Sequence, residues 1–325
     1  MKLFMANILA FLFFIPISIQ AESDTLTDEK KIEWRMALYQ KAEAVTQIPW
    51  YYFAAIDQFE RNIHEETASK TGIIAITIPE EKWIGYTNPY RKGKQKTGMV
   101  EVFDGMGRDG NGDGFADPQN DEDLLQSIAE WLLQYGHTRQ DIKTALWDYY
   151  QRELSVQTIM NIAKVYQTFN TIKLDEHIFP LPLHVNYTYK NTWGYPRGFG
   201  GRRIHEGTDI FANYGVPVRA TTYGVIEMKG WNRYGGWRIG IRDIHNIYHY
   251  YAHLNGYADD LKKGQVVKPG DVIGYVGASG YGPKGTSGKF PPHLHYGMYR
   301  FNGEKEWSFD PYPHLRKWER ETKRK

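Results

Sequence analysis

The sequence predicts an α+β protein with two domains, a helical N-terminal domain and a C-terminal antiparallel β domain. Between residues 25 and 172, apolar residues recur three and four positions apart, which is the period of amphipathic helices. Residues 183–315 consist instead of short apolar runs separated by glycine turns, a pattern typical of antiparallel strands. A length of 325 residues is enough for two domains, each with its own core.

The first 21 residues have the pattern of a secretory signal peptide. A short basic start precedes an apolar run from Leu3 to Ile19, and cleavage is expected after Ala21. The run is shorter than the roughly 20 residues of a membrane-spanning helix, so we expect no stable membrane span after cleavage. An uncleaved anchor is the alternative, because isoleucine is unusual at the third position before the cleaved bond.

The composition limits the compartments in which the protein can work and the partners that it can bind. The chain has no cysteine, which excludes a disulfide framework, a cysteine-ligated metal and a lipid attached to cysteine. An exported chain without cysteine fits a secreted protein of a bacterial cell envelope. The net charge of +2 gives no case for a nucleic-acid partner. Residues 316–325 are basic with two interrupting glutamates; we interpret them as a solvated tail, with binding of an anionic wall polymer as the alternative.

Apolar periodicity predicts helices in the first domain and strands in the second. The helices are expected at residues 29–43, 49–60, 121–135, 138–147 and 155–169. Phe179-Pro-Leu-Pro then breaks the helical pattern and indicates a linker at residues 173–182. The strands are expected at residues 224–229, 237–242, 248–253, 272–276 and 294–299.

An Asp- and Gly-rich loop at residues 109–120 interrupts the helical domain. Asp109, Asn111, Asp113 and Asp117 offer side-chain oxygens, and a glycine lies at the sharp turn, as in the first nine positions of an EF-hand calcium loop. The match ends at the twelfth position, where an asparagine replaces the bidentate glutamate. The loop is therefore either a Ca²⁺ site or a metal-free surface turn built on Asx residues.

Three stretches of the second domain carry residues suited to metal-dependent chemistry. In an extended segment, His293 and His295 share one face while the intervening leucine faces the core. Upstream, His205 and Asp209 supply an imidazole and a carboxylate, and both are zinc ligands. A catalytic zinc usually has three protein ligands and an open position, so this pair and one histidine of the later pair complete the count. His253 is a further histidine of the same domain.

The order of these motifs resembles that of the lysostaphin-type zinc peptidases of peptidoglycan, family M23. The resemblance runs from Phe179 to Leu315. Its motifs stand here as His205-Glu-Gly-Thr-Asp209, Tyr251-Ala-His253-Leu, Val267-Lys-Pro-Gly-Asp271-Val-Ile-Gly274, His293-Leu-His295-Tyr and Asp310-Pro-Tyr-Pro. The resemblance implies that residues 183–315 form the antiparallel β-sheet peptidase domain of that family.

The resemblance also implies a role for each matching residue. The corresponding residues are, as zinc ligands, His205, Asp209 and His295 and, as catalytic histidines, His253 and His293. Zinc lowers the pKa of bound water and polarises the scissile carbonyl, so one neutral histidine could act as base while the other donates to the tetrahedral intermediate. Which of the two is the base is left open. Glu206 is the weaker alternative, because neighbours on a strand face opposite ways.

The whole layout resembles that of sporulation-associated peptidases that cut between L-Ala and D-Glu in the stem peptides of spore cortex. It consists of a signal peptide, a helical region and this β domain. We therefore expect peptidoglycan as the partner, and the cell envelope or the spore-forming compartment as the location. A D-Ala or glycine cross-link is the alternative bond, because the loops around the groove set that choice.

The helical domain resembles lytic transglycosylases, lysozyme-like enzymes that act on the glycan strand. The resemblance rests on the segment from Trp50 to Glu60 and on the Asp- and Gly-rich loop after it. In such enzymes a helix-borne glutamate is the general acid, and Glu60 occupies the analogous place. The motif is degenerate, because Arg61-Asn-Ile-His64 and Gly72-Ile-Ile-Ala75 depart from the usual residues. A glycan-binding or purely structural domain is the alternative.

Three hypotheses remain for the chain as a whole. The first is a zinc endopeptidase of peptidoglycan peptides whose helical domain grips the glycan strand. The second is a bifunctional peptidase and glycan lyase that also uses Glu60. The third is a non-catalytic envelope scaffold that has the same β fold but has lost its ligands. All five expected site residues are present, which favours an active peptidase.

Overall fold

The computed structural model describes residues 27–64, 72–90 and 93–324, so the predicted signal peptide lies outside the described residues. The helices of the first domain are α1 (Asp28–Thr46), α2 (Trp50–Ile63), α3 (Glu80–Ile84), α4 (Thr97–Val102), α5 (Asp121–Leu133), α6 (Arg139–Tyr150) and α7 (Glu153–Phe169). A small antiparallel pair, β1 (Gln95–Lys96) and β2 (Phe115–Ala116), accompanies them. The five predicted helices are confirmed; α3 and α4 are additional short ones.

Local side-chain chemistry sets the helix boundaries, and burial sets their arrangement. Thr138 and Asp141 form a reciprocal capping box at the start of α6. Pro49 precedes the first residue of α2, where its fixed φ suits a helix start. Almost every residue of α2 from Trp50 to Glu60 is buried, and the helix packs against α1 and α7. A helix that is buried on nearly all sides forms the centre of its domain.

The second domain consists of short strands and one terminal helix. The strands are β3 (Tyr187–Tyr189), β4 (Pro196–Arg197), β5 (Arg203–Ile204), β6 (Thr208–Ala212), β7 (Pro217–Arg219), β8 (Gly224–Asn232), β9 (Gly236–Asp243), β10 (Ile247–Tyr257), β11 (Val266–Val267), β12 (Val272–Val276), β13 (His293–Phe301) and β14 (Glu306–Phe309), and the helix is α8 (Tyr312–Arg324). The five predicted strands are confirmed.

Ten of these strands form one antiparallel sheet. The order β11-β8-β9-β10-β13-β6-β3 forms its main path, with β12 joining β10 to β7 and β14 pairing with β13. The strands β4 and β5 form a separate pair. Within β13, Leu294 and Tyr296 are fully buried in the core while His293 and His295 project from the opposite face. The sheet therefore has a core face and a face that carries the histidines.

The two domains contact each other through both apolar and polar groups. The rings of Phe59 in α2 and Phe301 in β13 lie 6.4 Å apart. The side chain of Asn62 donates to the carbonyl of Ile244 at 2.8 Å and to Oδ1 of Asn246 at 3.0 Å. The region expected to be a linker, residues 173–182, has no regular structure but is not a free tether, because its Phe179 is buried in the β-domain core.

The end of the chain differs from the prediction of a solvated basic tail. Residues 316–324 belong to α8, whose Leu315 and Trp318 are buried against the core face of the sheet. The Glu319 carboxylate accepts hydrogen bonds from the hydroxyls of Tyr187 and Tyr189 in β3. The charged residues thus cover one side of a docked amphipathic helix. In the described ranges, none of the helices has the length and apolarity needed to cross a membrane.

Candidate active site

The predicted metal ligands meet on two paired strands. Asp209 in β6 lies directly opposite His295 in β13, and Asp209 Oδ1 is 3.0 Å from His295 Nδ1. His205 precedes β6, with its Nε2 2.9 Å from His295 Nδ1 and 3.0 Å from Asp209 Oδ1. The structure thus brings together three residues that are as much as 90 positions apart in the sequence.

Two neighbours hold this cluster in place. His205 Nδ1 donates to the carbonyl of Thr192 at 2.8 Å, and Thr192 Oγ1 accepts from the backbone N–H of Asp209 at 3.3 Å. Because a carbonyl only accepts, His205 Nε2 carries a lone pair that faces the cluster. Gly207 lies against the ring of His295, where a Cβ would come within 2.6 Å of Cε1. The glycine between the two ligands of the His-Glu-Gly-Thr-Asp motif therefore permits their close approach.

The chemistry of the cluster fits a zinc ion. The three facing atoms lie 2.9–3.0 Å apart. This spacing is close to the separation of about 3.3 Å between ligands of a tetrahedral Zn²⁺. Acceptor atoms this close repel one another unless a cation lies among them. Among the described residues, this is the group of His, Cys, Asp and Glu side chains that could hold a metal ion. Two imidazoles and one carboxylate form a donor set that suits Zn²⁺.

Asp209 is kept ionised from two sides. Arg197 in β4 pairs with its Oδ2 at 2.5 Å, which leaves Oδ1 for the cluster. Burial raises the pKa of Asp209, but the adjacent imidazoles of His205 and His295 outweigh burial and hold that pKa well below its usual value. Sequence reasoning missed Arg197, because it lies in a two-residue strand outside the main sheet and no local pattern links it to Asp209.

The two predicted catalytic histidines lie beside the cluster. The ring centres of His253 and His293 are 4.8 Å apart, and His293 Nε2 is 3.7 Å from Asp209 Oδ1. His253 lies at an irregularity in the pairing of β10 with β9 and has a φ of 62°, a left-handed conformation that a histidine rarely adopts. Its ring centre is 5.9 Å from that of His295. The irregular strand therefore holds His253 next to the metal ligands.

In both of these histidines Nδ1 bonds to the backbone, which leaves Nε2 available. His253 Nδ1 donates to the carbonyl of Ser279 and His293 Nδ1 to the carbonyl of Pro291, each at 2.8 Å. Burial lowers the pKa of both imidazoles, and for His253 the positive charge of neighbouring histidines lowers it further, to well below the ordinary value. Each ring is therefore neutral at neutral pH, and its Nε2 lone pair is the remaining acceptor.

A cavity of about 570 Å³ opens in front of these side chains. Phe290 packs on His253 with ring centres 4.7 Å apart, and Tyr281 packs edge-on at 6.0 Å. Glu206, the alternative base, also lines the cavity but is exposed, and it accepts a hydrogen bond from Tyr299 at 3.2 Å. An open cavity with aromatic walls suits an extended peptide rather than a small ion alone.

Glu60 lies in the other domain, away from this cavity. Its side chain is buried; Oε1 accepts from the hydroxyl of Tyr150 at 2.7 Å, and Oε2 is 3.4 Å from His64 Nε2. It does not belong to the residues that line the cavity. Its role as a glycan-cleaving acid therefore stays a prediction.

The Asp- and Gly-rich loop closes on its own backbone. Asp109 accepts from the backbone N–H of Gly112 at 2.7 Å, and Asp117 accepts from that of Gln119 at 2.9 Å. Asp113 pairs with a lysine, and Asn111 accepts from the backbone N–H of Asp113 at 2.9 Å. Within the described ranges these carboxylates do not gather into a metal-ligand cluster. The predicted Ca²⁺ site thus gains no support, and the loop has the form of its alternative, a turn built on Asx residues.

A cluster of three metal-ligating side chains, two neutral histidines beside it and an open cavity on an antiparallel sheet define a metal-dependent hydrolase. Residues 203–311 match peptidase family M23. The chain is 56% identical over 323 residues to an L-Ala–D-Glu endopeptidase of Bacillus subtilis (strain 168), and the match covers 98% of each chain. The chain therefore belongs to peptidase family M23.

Shorter similarities involve lysostaphin. The chain is 36% identical over 133 residues to lysostaphin of Staphylococcus staphylolyticus, a match that covers 39% of this chain and 26% of that relative. The solved catalytic domain of lysostaphin from Staphylococcus simulans is 33% identical, with a TM-score of 0.32, over 41% of this chain and 92% of the domain.

Proposed function

We propose that this chain is a Zn²⁺-dependent endopeptidase that hydrolyses the bond between L-Ala and D-Glu in the stem peptides of peptidoglycan. The observation that carries the chemistry is the convergence of His205, Asp209 and His295 beside two neutral histidines. The choice of bond is supported by the 56% identity to an L-Ala–D-Glu endopeptidase, because that match extends along 98% of both chains. It therefore includes the loops around the cavity, which select the substrate.

The zinc ligands are assigned to individual atoms. Zn²⁺ would be held by His205 Nε2, Asp209 Oδ1 and His295 Nδ1, a set of three protein ligands that leaves room for water. Once bound, it supplies a Lewis acid that activates water and polarises the scissile carbonyl. Arg197 orients Asp209 through the other carboxylate oxygen, and Thr192 fixes the tautomer of His205.

His253 and His293 move protons at Nε2. Because each donates Nδ1–H to a backbone carbonyl, each begins the reaction as an acceptor. Either ring is therefore suited to take the proton of the attacking water. Only the ring that has taken this proton can then hydrogen-bond to the developing oxyanion, and it finally transfers the same proton to the leaving amine of D-Glu. With these tautomers, a neutral histidine offers no Nε2–H to the oxyanion.

The location and the wall substrate are part of the same proposal. The predicted signal peptide and the absence of cysteine support a secreted enzyme of the bacterial cell envelope. The layout that resembles sporulation-associated peptidases supports spore cortex as the substrate, with the helical domain gripping the glycan strand. The lysozyme-like character of that domain stays a prediction. The competing bond is a D-Ala or glycine cross-link.

Mass spectrometry of released fragments tests this function. The mature chain, loaded with Zn²⁺, is incubated with purified spore-cortex and vegetative peptidoglycan, with and without a chelator. Muropeptides shortened to a single L-Ala, absent with chelator and restored by added zinc, are the expected products.

Two other outcomes would change the proposal. Fragments opened at D-Ala or glycine cross-links would keep the zinc chemistry and replace the bond. Absence of any product from either wall, with zinc bound, would contradict the endopeptidase and favour a non-catalytic scaffold.

A further inference from the structure

The arginines in and beside the cavity differ in whether a carboxylate neutralises them. Arg197 pairs with Asp209 at 2.5 Å. Arg242 is almost fully buried and pairs with Glu306 at 2.7 Å and with Glu227 at 3.3 Å. The protein itself therefore balances the charge of these two guanidinium groups.

Arg203 and Arg238 line the same cavity without such a partner. Arg203 Cζ lies 5.4 Å from the ring centre of Tyr234, and Arg238 Cζ lies 5.9 Å from that of Tyr250. The Nε of each arginine is buried and has no hydrogen-bond acceptor. In the part of the chain that the structure describes, no carboxylate forms an ion pair with either. Two guanidinium groups in one cavity, neither of them paired with a carboxylate, favour an anionic ligand.

Both cations lie next to the metal-ligand cluster. In the register of β9, β10 and β13, Tyr250 pairs with Gly240 and Gly297, so Arg238, Tyr250 and His295 share one face of the sheet. The ring centres of Tyr250 and His295 are 5.8 Å apart. Arg238 lies over the ring of Tyr250, and Arg203 lies in β5, two residues before the metal ligand His205.

The proposed substrate carries an anion at the matching place. Glutamate has two carboxyl groups and a stem peptide continues through only one, so the other stays ionised within a few bonds of the scissile nitrogen. We propose that Arg203 and Arg238 form a subsite that binds this free carboxylate of D-Glu, on the leaving-amine side of the cleaved bond. This inference rests on the proposed function and names residues that select the bond. The planar guanidinium group matches a carboxylate with two parallel hydrogen bonds.

Two matched peptides test the subsite. Both contain L-Ala–D-Glu continued through the side-chain carboxyl; the α-carboxylate is free in one and is a neutral carboxamide in the other. With the zinc-loaded mature chain, we expect kcat/KM about 10- to 100-fold higher for the free carboxylate. Arg203→Gln and Arg238→Gln should each lower this ratio about 5-fold or more, chiefly through the free-carboxylate peptide, and the double variant should bring it near unity.

Matched controls separate a specific contact from a loss of net charge. Arg202→Gln and Arg233→Gln remove the same charge from exposed neighbours that do not line the cavity, and they should keep the preference. Arg238→Lys retains the charge without the planar fork and should retain part of the preference.

The possible failures are distinguishable. Equal cleavage of the two peptides by the unmodified chain, or an undiminished preference in the double variant, would overturn the subsite and leave the endopeptidase in place. Cleavage of neither peptide would overturn the proposed function and the subsite with it. A variant with the melting temperature of the unmodified chain could also lose cleavage of the two peptides to the same extent. That result would overturn the subsite, because the arginine would then act in a step common to both peptides.

Discussion

The helical domain and the β domain each bury an ionised aspartate, and the two differ in their partners. Asp57 in α2 is fully buried and pairs with Arg35 at 2.8 Å and Arg61 at 3.2 Å. It also accepts from the hydroxyl of Tyr39 at 2.6 Å. Asp209, by contrast, has a single arginine on one oxygen, and its other oxygen lies 3.0 Å from two imidazole nitrogens and 3.7 Å from a third.

The difference separates a structural charge from a site. Permanent cations and a hydroxyl donor satisfy Asp57, so nothing further is needed around it. At Asp209 the facing imidazole nitrogen of His205 is an acceptor, so the cluster is incomplete without an added cation. A buried carboxylate therefore indicates a metal site when its neighbours are acceptors, and a structural ion pair when they are fixed cations.

The largest expected effect is on the incomplete cluster. Asp209→Asn keeps the shape of the side chain but removes its charge and weakens metal binding. We expect hydrolysis of peptidoglycan to fall at least about 1,000-fold, because the Lewis acid is lost. Fragment release measured by mass spectrometry and bound zinc measured by elemental analysis check this, with circular dichroism to confirm the fold.

Glu206→Gln is the matched control for Asp209. It removes the same charge from the same cavity, but at an exposed side chain that contacts Tyr299. We expect an effect below about 10-fold, since the residue lies outside the ligand cluster. Zinc-dependent hydrolysis that persists in Asp209→Asn, or that disappears in Glu206→Gln, would contradict the assignment of the ligands.

The complementary change is at Asp57, whose ion pairs with arginines already balance its charge. Asp57→Asn leaves two arginines without their buried counter-charge, so the free energy of unfolding of the helical domain should fall by about 3–5 kcal/mol. Molecules that stay folded should retain peptide hydrolysis, because Asp57 does not line the cavity. Urea unfolding followed by tryptophan fluorescence, together with activity at low temperature, measures both effects.

The effect of Asp57 should depend on pH. Burial raises the pKa of Asp57, but the charges of Arg35 and Arg61 outweigh it and lower the pKa below its ordinary value. The stabilisation is therefore complete above the unfolded-state pKa of about 3.9 and is lost as the pH falls through the folded-state value. Glu29→Gln, which removes an exposed ion pair with Lys173, should leave the unfolding midpoint unchanged. A stability gap that persists in strong acid would contradict this account.

A smaller effect is expected at the arginine that holds Asp209. Arg197→Gln should weaken zinc binding about 10- to 100-fold, because a partner that orients a ligand is lost while the ligands remain. Excess zinc should therefore restore hydrolysis. Competition with a chromophoric chelator measures the affinity, and Arg202→Gln, at an exposed neighbour, is the control. Unchanged affinity in Arg197→Gln would show that the ion pair serves only the fold.

The sequence predicted most of the long elements of the fold, with α8 as the exception, but not the shortest ones. The helices and strands that bury a repeated apolar face, such as α7 and β13, carry a visible period. The strands β4 and β5 have two residues each, too few for any period. In α8 the buried Leu315 and Trp318 are surrounded by charged residues in the sequence. The segment docks because these two side chains cover the core face of the sheet, and that face exists only in the folded domain.

The same limit applies to the candidate site. Histidines and an aspartate in recurring short motifs identified the residues that the structure brings together. The residues that hold them act through tertiary contacts: Thr192 uses its backbone carbonyl, which any residue offers, and Arg197 approaches from a separate strand pair. Asp57 lies four positions before Arg61, a spacing common on exposed helix faces, so nothing local marked it as buried beside Arg35, which lies 22 residues earlier on another helix. A charge network becomes recognisable only after the helices are packed.

The smallest effect is expected at Glu60, which extends the comparison to a third buried carboxylate. Like Asp57, it already has partners in its own domain, the hydroxyl of Tyr150 and the ring of His64. Glu60→Gln keeps an oxygen that accepts from Tyr150, so peptide hydrolysis should stay within about 2-fold of the unmodified chain, because distant sites act independently. Assay of reducing-end and anhydro-sugar release from the same digests decides its role. Sugar release by the unmodified chain that is lost in Glu60→Gln would make the helical domain a second catalytic unit. Equal release, or none from either protein, would show that Glu60, like Asp57, is a structural carboxylate satisfied by partners in its own domain.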